Sequence, residues 1–243
     1  MRLRSTVRHC LYLNWALPRA AVPSLPKPLR YETHPHDGED YVFMSALLFR
    51  QHRSHLEAVP VPRLSFPQLN LRLYVCDDEQ PAVYFLHRFV PRWAALPLRW
   101  VVRQRADPAR LDYPPIRSEA PWEWRVAPGS GSGVLRCRVE PASPSAPTTP
   151  NLGSWQSTID YLGRRTRGYI EDEGKLRRIE TAQPTVEAVP VQAEILESSL
   201  LETSIGVSSW PDLHSAFLCS EMLLRVQTAG AGPVLARQAT APG

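Results

Sequence analysis

Proline is the residue that most restricts what this chain can fold into, because 25 prolines are spread along 243 residues. A proline inside a helix removes a backbone hydrogen bond and costs about 3 kcal/mol, so a bundle of long helices cannot accommodate so many. Turns and the ends of strands tolerate proline well. The composition therefore predicts short strands joined by fixed turns.

The charged residues exclude several classes of protein. The basic residues are 26 Arg and only 2 Lys, and most arginines alternate with acidic or apolar residues. A nucleic-acid-binding protein concentrates its basic residues in a stripe, so a nucleic-acid partner is not expected. No apolar run reaches the ~20 residues of a membrane-spanning helix, so a transmembrane segment is not expected either.

The cysteines and the first residues indicate a cytoplasmic location. The four cysteines show no CxxC or CxxH spacing, so they predict no zinc site, and their apolar neighbours are typical of buried thiols in a reducing compartment. The apolar run near the start is short and interrupted by Asn14. It is therefore interpreted as a first strand over 11–17 and not as an export signal.

Alternation of apolar and polar residues predicts two strands and the faces of each. In 69–75 the odd positions are apolar, whereas Asn70, Arg72 and Tyr74 share the other face. In 133–140 the same pattern places Arg136, Arg138 and Glu140 on one face. Composition and turn residues predict further strands at 29–33, 41–49, 82–87, 122–126, 169–172, 175–180 and 217–226.

Turns and helices complete the predicted organisation. Asp37-Gly38 and Glu173-Gly174 each predict a hairpin between two of these strands. Ser154 is expected to cap a helix to about residue 165, and Pro91 to start one to about residue 105 with a kink at Pro97. We expect one mainly β (α+β) domain over 1–227, a barrel or strongly bent sheet, followed by a disordered tail over 228–243.

Several short motifs occur in a fixed order along the chain, including Leu13-Asn14-Trp15, Tyr31-Glu32-Thr33, Phe66-Pro67-Gln68-Leu69-Asn70-Leu71-Arg72-Leu73-Tyr74-Val75 and Gly174-Lys175-Leu176-Arg177-Arg178. Over roughly residues 10–226 the sequence resembles the YqjF-like family, a bacterial domain of unknown function in the acetoacetate-decarboxylase-like superfamily. The resemblance implies a closed, cone-like β-barrel with about two helices and a central cavity.

The superfamily's decarboxylases use a lysine that forms a Schiff base with a β-keto acid, and such a lysine must be partly neutral at pH 7. This chain has only Lys27 and Lys175, and after the central helix, where that lysine would fall, it reads Ala106-Asp107-Pro108-Ala109-Arg110. Arginine stays protonated and cannot replace it. Acetoacetate decarboxylation is therefore not expected, no cofactor is predicted, and it stays open whether the protein is an enzyme.

The chain also departs from its own family's pattern. Gln68, Arg88 and Arg164 stand where the family commonly has acidic residues, and Ala182-Gln183 stands where it has a pair of histidines. Three acidic groups and two imidazoles are thus replaced. The resemblance therefore implies a divergent member with altered or absent chemistry.

Asn70, Arg72 and Tyr74 are the strongest candidates for a ligand site. If the apolar face of 69–75 packs outward, these three side chains point into the barrel, where a guanidinium needs an anionic partner. That partner is either a carboxylate or phosphate ligand or an internal acid such as Glu140 or Glu194. The leading hypothesis is a small-molecule binding module for an organic anion.

Arg136 and Arg138 could extend this anion site, or they could form the solvated face of their strand. The first alternative to a binding module is a lyase, hydratase or isomerase without Schiff-base chemistry. Its candidate acids or bases are Tyr74, His87 and Glu140. His34 and His36 lie at a hairpin without a third ligand at metal spacing, so no metal site is predicted.

The second alternative is an interaction protein. On the helix from Pro91, Arg92, Arg99 and Arg103 fall on one stripe edged by two tryptophans. Such a stripe fits an anionic membrane surface, RNA or an acidic partner, and it equally fits a solvated helix face. The sequence predicts neither the oligomeric state nor the identity of the ligand.

Overall fold

The structure is a computed structural model that describes residues 2–78, 80–100, 106–115, 119–143, 152–172, 174–182, 187–207 and 210–228. These residues form thirteen strands and three α-helices. The strands, in chain order, are β1 Arg2–Pro18, β2 Arg30–Tyr31, β3 Thr33–His36, β4 Glu39–Leu56, β5 Val59–Asp77, β6 Gln80–Val90, β7 Asp107–Asp112, β8 Trp122–Pro128, β9 Leu135–Pro141, β10 Arg167–Asp172, β11 Lys175–Ala182, β12 Ala188–Glu197 and β13 Ser215–Thr228. The helices are α1 Arg92–Trp100, α2 Trp155–Gly163 and α3 Ser199–Ile205.

The strands pair into one sheet that closes on itself in two rings. Seven strands, in the order β1, β4, β5, β6, β10, β11 and β13, form a first ring, because β13 pairs back to β1. We call it the cavity ring. Strands β7, β8, β9 and β12 connect β6 to β13 by a second path. Together with β13, β1, β4, β5 and β6 they form a second ring, which we call the core ring. The mainly β fold that the sequence predicts is confirmed, but β1, β4 and β5, with 17, 18 and 19 residues, are much longer than the short strands predicted from the prolines.

Strands β13, β1, β4, β5 and β6 belong to both rings, and we call them the shared wall. Successive side chains of a strand point to opposite faces, so each strand of the wall faces both rings. Leu71, Leu73 and Trp15 pack with Trp124 in the hydrophobic cluster on the core-ring side. On the other side is a second cluster, which includes Tyr12, Phe43, Phe49, Tyr74 and Phe217. The wall is therefore buried on both faces.

The predicted hairpins and the predicted start of α2 are present. Asp37 (φ 49°) and Gly38 (φ 81°) turn β3 into β4 with positive φ at both positions, as an Asp-Gly turn requires. Asp172 pairs with Lys175 to join β10 to β11. The Ser157 N–H donates to Ser154 Oγ (3.1 Å) and so caps α2. Helix α1 contains Pro97 as predicted.

Other predictions differ from the structure or lie beyond its described part. Helix α3 is absent from the sequence prediction; it is one short segment that buries Leu200, Leu201 and Ile205 and ends at Gly206 in the left-handed region. Strand β1 begins nine residues before the predicted 11–17, because charged and polar residues interrupt the apolar pattern there. Residues 101–105, with Arg103, and 229–243 of the predicted tail lie outside the described residues. No described helix is long and apolar enough to cross a membrane.

Candidate functional site

A cavity of about 510 Å³ lies within the cavity ring. Six of the seven ring strands (β1, β4, β5, β6, β11 and β13) contribute side chains to its lining, and α1 covers it with Ala94, Pro97 and Leu98. Most of the lining is apolar, and the polar groups are concentrated on the inward face of β5 and on its neighbours. A largely apolar pocket with a few convergent polar groups is the usual form of a small-molecule site.

Arg72 is a buried charge at the wall of this cavity, with only 3% of its surface exposed. Its Nη2 donates to the Leu162 carbonyl oxygen (2.6 Å) and to the Tyr74 hydroxyl (3.1 Å), whereas its Nε has no hydrogen-bond partner. Leu162 lies in the last turn of α2, whose carbonyl end carries a partial negative charge that favours a cation. The guanidinium is thus held by dipoles.

No carboxylate compensates this charge in the part of the chain that the structure describes, where none of the ion pairs includes Arg72. The two acids considered as internal partners, Glu140 and Glu194, are exposed on β9 and β12 of the core ring. Arg72 therefore has a free donor and an uncompensated charge at the cavity wall.

A buried hydrogen-bond network holds Arg72 in position on the side of Tyr74, away from the cavity. The Tyr74 hydroxyl lies 2.7 Å from the Leu162 carbonyl oxygen and 2.8 Å from Ser45 Oγ. Ser45 in turn donates to Asn14 Oδ1 (2.5 Å), and Asn14 Nδ2 donates to the backbone of Ser215 (3.1 Å). Tyr74 is fully buried and does not line the cavity, so it supports Arg72 from the packed side.

A row of amides runs along the cavity beside Arg72. Gln51 Nε2 donates to Gln68 Oε1 (3.4 Å), and Gln68 Nε2 donates to Asn70 Oδ1 (2.7 Å). Gln51 Oε1 accepts from Ser54 (3.2 Å) and from Ser5. Within the described residues the Asn70 amide nitrogen has no partner. Asn70 and Arg72 thus present unused donors on the same strand face.

Arg88 is a second buried arginine of the same cavity. It is 8% exposed and lies opposite Asn70 in the β5–β6 register. Burial lowers the pKa of its guanidinium to about 10, and the carboxylates of Asp107 and Asp172 oppose this shift. Arg88 therefore stays protonated at neutral pH, with two carboxylates near enough to stabilise its charge.

The structure brings Asn70, Arg72 and Tyr74 together, and it places the other predicted site residues elsewhere. Arg136 and Arg138 are exposed on β9, where each donates to Glu123 (2.9 and 3.2 Å). Glu140 is exposed on the same strand.

His87 lies outside the main cavity and lines a smaller pocket of about 270 Å³, with its Nδ1 3.4 Å from Asp107 Oδ2. His34 is half-buried and lies 2.7 Å from the Tyr161 hydroxyl. Among the described residues no cluster of three metal-ligating side chains forms.

Three features of the candidate site are not predicted by the sequence. The inward alternation of β5 continues back from Asn70 to Gln68, so extending the pattern by two residues would have found this amide. Arg88 was noted only as a departure from the family, and its cavity position had no local signal. The Leu162 carbonyl is 90 residues from Arg72, so no sequence pattern could connect them.

Neither of the two lysines lines the cavity, and neither do Arg92 and Arg99 of the predicted Arg/Trp helix. Lys27 and Lys175 are exposed, and the lining in the described part of the chain contains Ala106 but no lysine. On α1, Arg92, Trp93 and Arg99 face away from the cavity and are exposed, with Trp93 at 54%.

Comparison with solved structures finds the same fold in proteins of low sequence identity. An acetoacetate decarboxylase-like enzyme from Sphingomonas wittichii RW1 has a TM-score of 0.58 at 12% identity, covering 96% of this chain and 94% of that one. Acetoacetate decarboxylase from Legionella pneumophila gives 0.60 at 9% identity (95% and 88%). The enduracididine biosynthesis enzyme MppR, complexed with pyruvate, gives 0.56 at 9% identity (94% and 90%). These likenesses show the fold alone.

Comparison with curated proteins gives no match. A family model does match, over residues 4–222, and this range includes nearly all of both rings. The family is described as an uncharacterized conserved protein. The solved structures confirm the predicted fold, which this chain shares with acetoacetate decarboxylase-like enzymes. The chain belongs to the DUF2071 family.

Proposed function

We propose that this protein is a small-molecule binding module that takes an organic anion in the cavity ring, with Arg72 holding its charge. The observation that carries the proposal is a guanidinium, 3% exposed, with no carboxylate partner among the described residues and a free Nε. An uncompensated buried charge is costly, and a bound anion removes that cost. The free amide of Asn70 supplies a second donor beside it.

Two further points support binding of an organic acid. The structural neighbour MppR is complexed with pyruvate, so a chain of this fold can enclose a small organic acid. The described lining contains no lysine, and Ala106 occupies the cavity beside the end of α1. A Schiff base therefore has no nucleophile among these residues, and noncovalent binding is the function that fits them.

The test is a thermal-shift and calorimetric screen of organic acids on three proteins: wild type, Arg72→Gln and Arg138→Gln. A ligand at 100 times its Kd raises the Tm of a protein of this size by roughly 5–10 °C. Loss of a charge-assisted hydrogen bond costs about 1.5–3 kcal/mol, so Arg72→Gln should weaken binding at least tenfold. Arg138→Gln removes an exposed arginine and should bind as wild type.

Two results would overturn the proposal. One is that no acid in a broad panel shifts the Tm of the wild-type protein. The other is that Arg72→Gln, shown by circular dichroism to be folded, binds the same acids with wild-type affinity.

A further inference from the structure

The cavity is long and has different chemistry at its two ends. Its lining on β1 runs from Leu3 to Tyr12, nine residue steps that correspond to about 30 Å at ~3.3 Å per residue. On β5 it runs from Val61 to Arg72. Register shifts in β1, β4 and β5 shorten these strands locally. The space still extends far beyond the reach of a three- or four-carbon acid bound at Arg72.

The part of the cavity away from Arg72 is apolar. Its side chains include Leu3, Leu56, Leu64, Phe66, Leu98 and Val226. The polar groups nearby already bond within the protein: Gln51 and Ser54 bond each other (3.2 Å), and Thr181 donates to the Arg165 carbonyl (2.9 Å). His55 also lines this part of the cavity, and its Nδ1 lies 2.8 Å from the Arg53 carbonyl oxygen. This part of the lining is therefore mainly an apolar surface.

The apolar end is also the end that opens to solvent. Val61 lines the cavity beside Pro62 and is itself 67% exposed, whereas Arg72 at the other end of the β5 lining is 3% exposed. A ligand that enters past Val61 with its charge first would place that charge at Arg72 and leave its remaining atoms against the apolar side chains.

We infer that the ligand is an amphiphilic acid, whose anionic head lies at Arg72 and Asn70 and whose apolar chain extends along β5 toward the β4–β5 hairpin. This inference rests on the proposed function, and it adds the chemical class of the ligand. Burial of each methylene against such a lining strengthens binding about fourfold, so affinity should increase steeply with chain length until the cavity is filled.

The test uses straight-chain carboxylates of two to fourteen carbons, below their micelle-forming concentrations, with the matching alcohols as uncharged controls. Binding is measured by calorimetry on wild type, Arg72→Gln, Leu64→Trp and Leu223→Trp. Leu64→Trp fills the apolar part of the cavity, whereas Leu223 is partly exposed on β13 and does not line it, so that variant is the matched control.

We expect affinity for carboxylates to increase about fourfold per methylene over the shorter members. Leu64→Trp should weaken the long acids at least tenfold and leave acetate and propionate unchanged, and Leu223→Trp should match wild type. Arg72→Gln should weaken every acid by a similar factor, keep the dependence on chain length and leave the alcohols unaffected.

The failures of the inference and of the proposed function give different results. If short and long acids bind alike and both depend on Arg72, the amphiphile is excluded and the proposed function stands. If affinity increases with chain length but folded Arg72→Gln binds acids as wild type does, the anionic head is not at Arg72 and both are overturned. If no acid of any length binds, both are likewise overturned.

Discussion

Strands β5 and β9 have nearly the same sequence pattern and opposite environments. Each alternates apolar residues with arginines, Arg72 on β5 and Arg136 and Arg138 on β9. On both strands the apolar face packs into the core-ring cluster, through Leu71 and Leu73 on β5 and Cys137 and Val139 on β9. The difference lies in the other face, which is buried on β5 and exposed on β9.

The reason is the position of each strand in the sheet. Strand β5 belongs to the shared wall, so its polar face lies against the cavity ring, whereas β9 belongs to the core ring alone and its polar face meets water. Alternation therefore specifies which residues share a face, and ring closure decides whether that face is inside. A pattern that is typical of a half-exposed strand can equally describe a strand that lines an internal cavity.

Charge reversal should give the largest difference between the two strands in the free energy of unfolding. Arg72→Glu puts a carboxylate against the Leu162 carbonyl at the negative end of α2, so it should reduce the free energy of unfolding by about 3–5 kcal/mol. Arg138→Glu changes an exposed side chain and should leave the urea midpoint nearly unchanged. Urea unfolding followed by tryptophan fluorescence measures both. Equal small losses would mean that the guanidinium of Arg72 reaches water.

A smaller effect is expected when the support behind Arg72 is removed. Ser45→Ala takes a hydrogen-bond partner from Asn14 Oδ1 and from the Tyr74 hydroxyl, both buried, and should cost about 1–3 kcal/mol. The control is Ser130→Ala in the exposed turn before β9, where the change should stay within about 0.5 kcal/mol. Thermal unfolding measures the pair. A cost for Ser45→Ala no larger than the control would show that the buried network does not hold Tyr74.

The smallest effect concerns the exposed pairs on β9. Hydrogen bonds from Arg136 and Arg138 lower the pKa of Glu123. Because the folded-state pKa is the lower one, this stabilisation is present above the unfolded-state pKa and is lost as the pH falls through the folded-state pKa.

The double variant Arg136→Gln/Arg138→Gln should raise the pKa of Glu123 toward its ordinary value, as measured by NMR titration of its carboxyl carbon at low salt. Arg110→Gln, which removes a different surface pair with Asp112, should leave that titration unchanged. An unchanged pKa in the double variant would mean that the β9 pairs do not persist in solution.

The sequence predicted those parts of the molecule that depend on local chemistry. The faces of β5, the Asp37-Gly38 turn and the Ser154 cap each depend on neighbouring residues, so they could be predicted. The mainly β fold followed from the prolines and from the family resemblance. The interior position of Asn70 and Arg72 was stated only as conditional on outward packing of the apolar face.

The rest depends on closure of the sheet. The contact between Arg72 and the end of α2, the cavity position of Arg88 and the placement of Arg136 on the surface all follow from which strands join both rings. Such pairings connect residues far apart in the chain, and local patterns carry no information about them. Helix α3 was missed for a different reason, since one short turn-like segment has too few residues for a helical period.

In the shared wall, consecutive residues of one strand face different compartments. Leu71 and Leu73 pack in one compartment, while Asn70 and Arg72, which alternate with them on the same strand, line the cavity of the other. A substitution of Gln68, Asn70 or Arg72 therefore changes the lining of the cavity without creating a void among the odd positions of β5. The shape and polarity of the cavity can thus change while the packing that holds the fold stays the same.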